Sequence, residues 1–451
     1  MIFKINLLQL LTCYFFSFSC CIYRYYKISK INFTINSNKI PTYYLLNSLT
    51  LIKKYNMIFI DLFYTNINLP EYKYISFPTI LKGGKIMVTN ITSKVQLLGN
   101  PFNKTTFAKN VWDMQVYNSR IYLGHGDFNT NAGPIPVIYF DPSTNKFATH
   151  FTVDEEEINV FKVLNNELYI PGTDSKEDWN FGSFYVVESN DGWIKYRTIP
   201  SANHVFDMAY YNGQLYAATG TTKTGWGEVL TSNDMGKTWT TVMPQTTTTM
   251  KFMESWATCL FLLNNQLYAS GKMLFNDWFA KYKNFLVMNG TNSIVQPFTT
   301  KFLPDAQNAH EYYIQRPITV NNKLVYLAYV SAASHWLPYS MYVVTSLTSS
   351  HKVIFPAAQA VPSDILVRDN VTYVLTNLQN STNSFTTIVY KSTNLLNWTE
   401  LFRFDTDAFA RSFEELNGDF YFGLGCSTVY TPASTGNILK AAKYDISSLI
   451  P

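Results

Sequence analysis

Residues 208–220 read MAYYNGQLYAATG, two apolar runs separated by the pair Asn212-Gly213. Asn-Gly readily adopts the positive φ angles that a two-residue hairpin turn requires, so the stretch predicts a strand, a tight turn and a second strand. The same pattern occurs six more times, as MQVYNSRIYLGHG (114–126), FKVLNNELYIPGT (161–173), LFLLNNQLYASGK (260–272), ITVNNKLVYLAYV (318–330), ILVRDNVTYVLTN (365–377) and FEELNGDFYFGLG (413–425).

These hairpins repeat at a nearly constant distance. The aligned positions are Tyr122, Tyr169, Tyr216, Tyr268, Val325, Tyr373 and Tyr421, separated by 47, 47, 52, 57, 48 and 48 residues. Another apolar, aromatic strand pair follows each hairpin, which gives four strands per repeat. Four strands at this period are typical of propeller blades, whereas stacked β-sandwiches explain a single regular period poorly. We therefore predict an all-β fold, a seven-bladed β-propeller of four-stranded blades.

The last repeat contains only three strands before the sequence given ends at Pro451. The stretch SKVQLLGNP at 93–101 resembles the outer strands of the other blades and directly precedes the first repeat. We expect it to pair with the last blade and close the ring, because closure removes an exposed sheet edge.

The first 86 residues differ in composition from the rest. They contain no Ala, Val, Trp or His, and hold 10 of the 35 Lys/Arg but only 2 of the 31 Asp/Glu. We interpret residues 1–86 as a low-complexity leader outside the fold and residues 87–451 as the propeller. The leader is either signal-like at residues 1–21, which predicts secretion, or upstream sequence before a start at Met87, which predicts a cytoplasmic protein.

Charge and cysteine content exclude several classes of protein. Residues 87–451 carry 25 basic and 29 acidic residues, a net charge of −4, so no nucleic-acid partner is expected. No apolar stretch of the propeller predicts a membrane span. Only Cys259 and Cys426 lie in the propeller, far apart in sequence, so no disulfide framework is predicted. We expect a monomer.

One turn carries a specific motif. Residues 231–239 read TSNDMGKTW, which has the spacing S-x-D-x-G-x-T-W. This stretch resembles the Asp box of the sialidase-like, or BNR-repeat, β-propeller superfamily. The resemblance implies a structural turn between the third and fourth strands of a blade, with side-chain oxygens accepting backbone N–H groups and a glycine at an unusual dihedral angle. Its residues here are Ser232, Asp234, Gly236, Thr238 and Trp239. SNDGW (189–193) and STNLLNW (392–398) are degenerate versions.

Propeller topology assigns the functional-looking residues mainly to one face. The loops between strands 2 and 3 and the links between blades share this face, which we call the upper face; the strand 1–2 and 3–4 turns form the lower face. Aromatic rings beside acids and histidines suit the binding of a glycan or another polar small ligand. The candidate ligand-binding residues are His125, Asp127, Trp179, His204, Trp226, Trp278, His310, Arg316, His335, Trp336 and Arg411.

Two other functions fit the same face. A glycoside hydrolase or lyase would use two carboxylates, drawn from Asp174, Asp178, Glu254, Asp277 and Glu311. A protein-interaction scaffold is the other alternative. Sialidases bind their substrate carboxylate with three arginines, and only Arg316 and Arg411 are predicted on the upper face, so sialidase activity is not expected. No cofactor is predicted; the alternative is a metal ion bound by His125, His204, His310 and His335.

Overall fold

The computed structural model describes residues 90–220, 227–244, 256–274, 284–306, 311–330, 340–427 and 430–447. About 60% of the structure is strand, because apolar runs alternate with polar, glycine- or asparagine-rich turns. A short helix, Lys443–Ser447, follows the last strand. The strands, in chain order, are β1 (Gln96–Gly99), β2 (Asp113–Tyr117), β3 (Arg120–Gly124), β4 (Ile135–Asp141), β5 (Lys146–Val153), β6 (Glu155–Glu157), β7 (Lys162–Leu164), β8 (Glu167–Pro171), β9 (Thr173–Ser175), β10 (Phe181–Val187), β11 (Trp193–Pro200), β12 (His204–Tyr211), β13 (Gln214–Gly220), β14 (Gly227–Ser232), β15 (Thr240–Thr241), β16 (Met243–Pro244), β17 (Cys259–Leu263), β18 (Gln266–Ser270), β19 (Met273–Leu274), β20 (Asn284–Asn289), β21 (Asn292–Pro297), β22 (Glu311–Val320), β23 (Lys323–Val330), β24 (Ser340–Ser346), β25 (Ser349–Lys352), β26 (Val361–Arg368), β27 (Val371–Ser381), β28 (Ser384–Ser392), β29 (Thr399–Thr406), β30 (Ala410–Leu416), β31 (Asp419–Leu424) and β32 (Ile438–Ala441).

The strands form seven antiparallel blades in a ring, which confirms the predicted seven-bladed β-propeller. Blade 1 is β2–β5; blade 2 is β7, β8, β10 and β11; blade 3 is β12–β15; blade 4 is β17, β18, β20 and β21; blade 5 is β22–β25; blade 6 is β26–β29; blade 7 is β30–β32 with β1. Short extra strands add to three sheets: β6 and β9 to blade 3, β16 to blade 4 and β19 to blade 5.

The N-terminal strand closes the ring, as the sequence predicts. Gln96 lies opposite Lys440 and Leu97 opposite Leu439, so β1 is the outer strand of blade 7. Just before it, the chain runs along blade 6: the backbone N–H of Ile91 donates to Arg403 O at 2.8 Å, and the Ile91 side chain is only 1% exposed. Residues 90–99 therefore bind two neighbouring blades.

Apolar packing occurs mainly between blades. Seven clusters of buried side chains can be distinguished, and each is shared by two adjacent blades; that between blades 1 and 2, for example, joins Tyr122 and Val137 to Leu168 and Tyr185. Each blade therefore buries its two faces against its neighbours. The hairpin turns also form as predicted, for example at Asn212 (φ +50°) and Gly213 (φ +81°).

The turn at residues 232–239 connects β14 to β15 and has the expected hydrogen bonds. Ser232 Oγ accepts the N–H of Gly236 at 2.8 Å, and Asp234 accepts the N–H of Thr238 at 2.9 Å and its hydroxyl at 2.6 Å. These bonds lower the pKa of Asp234 to about 2. The Trp239 ring packs edge-on against Phe184 of blade 2, with ring centres 5.9 Å apart. The turn thus fastens blade 3 to blade 2 from the lower face.

The stretch at 392–398 forms a similar turn in blade 6. Ser392 Oγ accepts the N–H of Leu395 at 2.9 Å, and Asn394 Oδ1 accepts the N–H groups of Leu396 and Asn397, both at 2.9 Å. Leu395 takes the positive φ, +64°, that Gly236 takes in blade 3. The resemblance noted between the two sequences therefore extends to their hydrogen bonding.

Candidate functional site

A short sheet crosses the upper face from blade 1 to blade 3. Gly126, in the strand 2–3 loop of blade 1, bridges to Glu157 of β6. Glu157 lies opposite Thr173 of β9, and Thr173 lies opposite His204, the first residue of β12. Backbone hydrogen bonds therefore fix the upper loops of blades 1 and 2 relative to the start of blade 3.

Carboxylates are concentrated on this sheet and the loops beside it. Residues 125–134, 154–161 and 172–180 contain eight acidic side chains and one basic one, Lys176. Three acids form ion pairs with two bases of β11: Lys195 with Asp154 and Glu177, and Arg197 with Glu177 and Asp178. The other five form no ion pair with any part of the chain that the structure describes, and we call them the unpaired acids: Asp127, Glu155, Glu156, Glu157 and Asp174.

Two of the unpaired acids lie deep in the protein. Burial raises the pKa of Glu155 to about 8, although the Tyr185 hydroxyl donates to it at 3.1 Å. Burial, together with nearby Asp127, raises the pKa of Glu157 to about 8 as well. Its Oε2 is buried and has no hydrogen-bond partner within the described residues. Both carboxyl groups therefore hold their protons at neutral pH.

Asp127 is positioned by the local turn. Its Oδ1 accepts the N–H of Asn129 at 3.1 Å and its Oδ2 the hydroxyl of Thr130 at 2.8 Å, which caps the short 3₁₀ helix Phe128–Thr130. This cap holds Phe128 toward blade 3, where its ring centre is 6.3 Å from that of His204.

Four rings gather beside the acids, and we call them the aromatic platform: Phe128, His204, Phe206 and Trp256. Trp256 lies in the link to blade 4, with its ring centre 4.9 Å from that of His204 and 5.3 Å from that of Phe206. Its indole lies against Gly220, where an added Cβ would come within 2.6 Å of Trp256 Cγ. The ring is 36% exposed and so presents part of a flat apolar surface to solvent.

Polar atoms without partners lie next to this platform. Burial lowers the pKa of His204 to about 4, so its imidazole is neutral at physiological pH. Its Nδ1 is buried and unpartnered among the described residues, as is Thr258 Oγ1, two residues after Trp256. On blade 2, Trp179 and Phe181 are 50% and 44% exposed on the same upper face. Flat rings and unpartnered polar atoms together suit a ligand with apolar faces and hydroxyl groups.

The central channel is lined by charged residues of the inner strands. Three aspartates each accept the backbone N–H of the next blade's inner strand, and we call these bonds the carboxylate staples. They join Asp113 to Phe161 at 2.6 Å, Asp207 to Leu260 at 2.8 Å and Asp364 to Phe413 at 3.0 Å. The Lys162 ammonium is 2.8 Å from Asp207.

Arg316 lies in the channel rather than at the ligand surface where the sequence places it. It forms ion pairs with Asp113 of blade 1 and Asp364 of blade 6, and donates to the carbonyl of Trp112. A bulge in β22, where the register shifts between Gln315 and Ile318, directs it there. Its guanidinium thus links blades 5, 6 and 1 across the ring.

Arg411 is also buried. It stacks on Trp112, 4.3 Å from the ring centre, and its Nε donates to Asn110 at 2.9 Å. Burial lowers its pKa to about 10. These contacts hold the guanidinium as part of the joint between blades 7 and 1.

The structure brings only some of the predicted site residues together. His204 and Asp127 lie at the platform and the unpaired acids, and Asp174 lies on β9 beside them, its pKa raised by burial. Besides Arg316 and Arg411, three described candidates lie apart: His125 is buried against Phe102, 4.5 Å between ring centres, Asp178 pairs with Arg197, and Glu311 pairs with Lys272. The remaining candidates lie outside the described residues: Trp226, Glu254, Asp277, Trp278, His310, His335 and Trp336.

Several residues of this face are absent from the sequence-based list. The sequence-based list takes its tryptophans from the strand 2–3 loops. Trp256 and Thr258 are not in it because they lie in the link between blades 3 and 4. Glu155, Glu156 and Glu157 form an acidic run, which typically indicates a solvated surface. The carboxylate staples could have been detected in the sequence. Asp113, Asp207 and Asp364 occupy the same position of the repeat, five residues before the first residue of the hairpin turn.

Within the described ranges, no group of three or more His, Cys, Asp or Glu side chains has an arrangement that could hold a metal ion. No helix of the described residues is both long and apolar enough to span a membrane. His310 and His335, two of the four histidines of the metal alternative, lie outside those residues.

No family model and no curated protein matches this chain. Among solved structures, it is similar to a chain of the mitotic checkpoint complex, at 10% identity and a TM-score of 0.46, covering 84% of this chain and 99% of that one. It is also similar to the β-propeller domain of the Trilobed protease from Pyrococcus furiosus (5% identity, TM-score 0.44, 72% and 93% covered). It is similar, too, to the GH74 xyloglucanase from Xanthomonas campestris, at 8% identity and a TM-score of 0.45, covering 74% of this chain and 52% of that one. Likeness at this level supports no transfer of ligand or activity.

Proposed function

We propose that this propeller is a binding module for a glycan or a similar hydroxyl-rich ligand, which it takes up on the upper face of blades 1 to 4. One observation carries the proposal. Of the four exposed aromatic side chains among the described residues, Trp179, Phe181 and Trp256 lie on this face, and the fourth, Tyr444, lies on the C-terminal helix. Exposed aromatic rings grouped on one face indicate a binding surface, since isolated exposure needs no explanation.

Polar groups beside these rings support the same ligand class. His204 Nδ1, Thr258 Oγ1 and Glu157 Oε2 are unpartnered within the described residues, and hydroxyl groups both donate and accept hydrogen bonds. Arg316 links three blades across the channel below, so binding on the face, rather than passage through the ring, fits the geometry.

A glycan array probed with the full-length chain tests the proposal. We expect specific binding to a subset of glycans, at least tenfold weaker for the double variant Trp179→Ala/Trp256→Ala, because a stacked aromatic contributes about 0.5–1.5 kcal/mol beyond its buried area. Tyr444→Ala is the matched control, since it removes an exposed ring far from the site in sequence and should leave binding unchanged. A silent array, or equal binding by the double variant, would refute the proposal.

The same experiment addresses the hydrolase alternative. Bound oligosaccharides are recovered after overnight incubation and their lengths compared with the input. Unchanged chains are the expected result for a binding module. Shortened chains would replace the binding function by glycoside hydrolysis.

A further inference from the structure

We infer that the ligand of the upper face is an uncharged oligosaccharide and that this face discriminates against anionic sugars. The inference rests on the proposed function and names its ligand class. It follows from the charges around the aromatic platform.

The first step is the balance of fixed charge. The upper loops of blades 1 and 2 contain eight carboxyl groups and a single lysine. That lysine, Lys176, donates to the carbonyl of Gly133, and the nearest bases of β11, Lys195 and Arg197, are already paired with acids. In the described part of these loops, the ammonium of Lys176 is therefore the one cation without an ion pair, so an anionic sugar finds few charge-assisted hydrogen bonds here.

The second step is the position of the unpaired acids. Asp127 caps the 3₁₀ helix that carries Phe128, and Asp174 lies on β9 next to Thr173, the residue opposite His204. An anion stacked on the platform would therefore lie near carboxyl groups that no ion pair neutralises within the described residues. Like charges about 4 Å apart repel each other strongly enough, even in water, to weaken binding severalfold per charge, and salt screens this repulsion.

The third step is the chemistry of the unpartnered atoms. His204 is neutral, so its buried Nδ1 offers no positive charge, and Thr258 Oγ1 is a neutral hydroxyl oxygen. Glu155 and Glu157 hold their protons at neutral pH, which reduces the attraction this face would exert on a cationic sugar. Stacking on Trp256 with hydrogen bonds from uncharged groups matches a neutral sugar ring.

The experiment compares matched ligands on the full-length chain. Isothermal titration is performed with the best neutral glycan of the array, its sialylated form, and a glucosamine oligomer as a cationic probe, at 50 and 500 mM NaCl. We expect the sialylated form to bind at least tenfold more weakly than the neutral one at low salt, with the difference shrinking at high salt.

Variants assign the discrimination to the unpaired acids. Asp174→Asn/Glu156→Gln should reduce the difference between neutral and sialylated ligands by threefold or more while leaving neutral binding within twofold. Asp369→Asn, an acid-to-amide change in a lower-face turn, is the control and should leave both affinities unchanged.

The outcomes separate the two proposals. If no glycan binds, the proposed function fails and this inference falls with it. If glycans bind through Trp179 and Trp256 but the sialylated ligand binds as tightly as the neutral one, or the glucosamine oligomer binds as weakly as the sialylated one, the binding function stands and the inference is wrong.

Discussion

Replacing Arg316 by methionine is expected to be among the most damaging single changes in the channel. The substitution keeps an unbranched side chain but leaves Asp113 and Asp364, both nearly fully buried, without their shared cation. Removing one partner of a buried ion pair costs about 3–5 kcal/mol. Because the Arg316 side chain is 20% exposed, we take the lower end, about 3 kcal/mol.

That free energy converts to a measurable shift in melting temperature. An unfolding entropy of about 2.1 cal/mol/K per residue over about 360 propeller residues gives roughly 0.75 kcal/mol/K, so Arg316→Met should lower Tm by about 4 °C. Arg403→Met is the control: its ion pair with Glu400 lies on the outer strand of blade 6, and such pairs contribute at most about 1 kcal/mol, or about 1 °C.

Charge removal provides the decisive comparison. The triple variant Arg316→Met/Asp113→Asn/Asp364→Asn removes the uncompensated charges, and each asparagine keeps a carbonyl oxygen that can accept the N–H of Phe161 or Phe413. We expect it to recover at least half of the lost Tm in calorimetry. A single variant no worse than Arg403→Met, or a triple variant no better than the single one, would show that the cross-channel ion pairs do not stabilise the ring.

Three further changes test the turn, the closure and the buried acids. Gly236→Ala should cost about 2–4 kcal/mol in denaturant unfolding, since its φ is +88° and a Cβ would overlap the Phe184 ring; a cost below 1 kcal/mol contradicts this. Ile91→Ala should cost about 2–5 kcal/mol, whereas Leu97→Ala, at a 57% exposed position of β1, should cost under about 0.5 kcal/mol, and equal costs would argue against a role of residue 91 in closure. The folded-state pKa of Glu157 is about 8 against an ordinary 4.5, so its protonated form favours folding and this stability is lost as pH rises from 4.5 through 8. Glu157→Gln cannot lose a proton, so its Tm relative to the wild type should rise between pH 5 and 9; a constant difference is the opposing result.

The sequence predicts the architecture well because the relevant signals are local. Asparagine-rich turns such as Asn212-Gly213, repeated at a fixed period, determine hairpins, and counting strands in the last repeat identifies β1 as the missing one. The turn at Ser232 likewise depends on residues within a few positions of each other. Each of these features can be predicted from the sequence without knowledge of the closed ring.

The site is less predictable because it depends on which distant residues meet. Arg316 belongs by its repeat position to the inner strand, but its pairing with Asp113 and Asp364 requires the geometry of the closed ring. Similarly, the acidic run around Glu156 is drawn into the protein by the pairing of β6, in the link between blades 1 and 2, with β9, in the upper loop of blade 2. Trp256 joins the platform only because blade 3 places Phe206 and His204 beneath the link.

The carboxylate staples have a consequence for consensus design. Three blades carry aspartate at the staple position, and regularising the repeat would place aspartate in the others, at Val160, Cys259, Arg316 and Ser412. The acceptors would often find no donor: the residue facing position 259 is Pro317, which has no N–H, and the N–H groups of Met208 and Ile365 already donate to Asp207 and Asp364 of their own blades at 2.9 Å. An idealised repeat would thus add buried charge at most of these positions without adding bonds, so aspartate at the staple position is favourable only where the next blade offers a free backbone N–H.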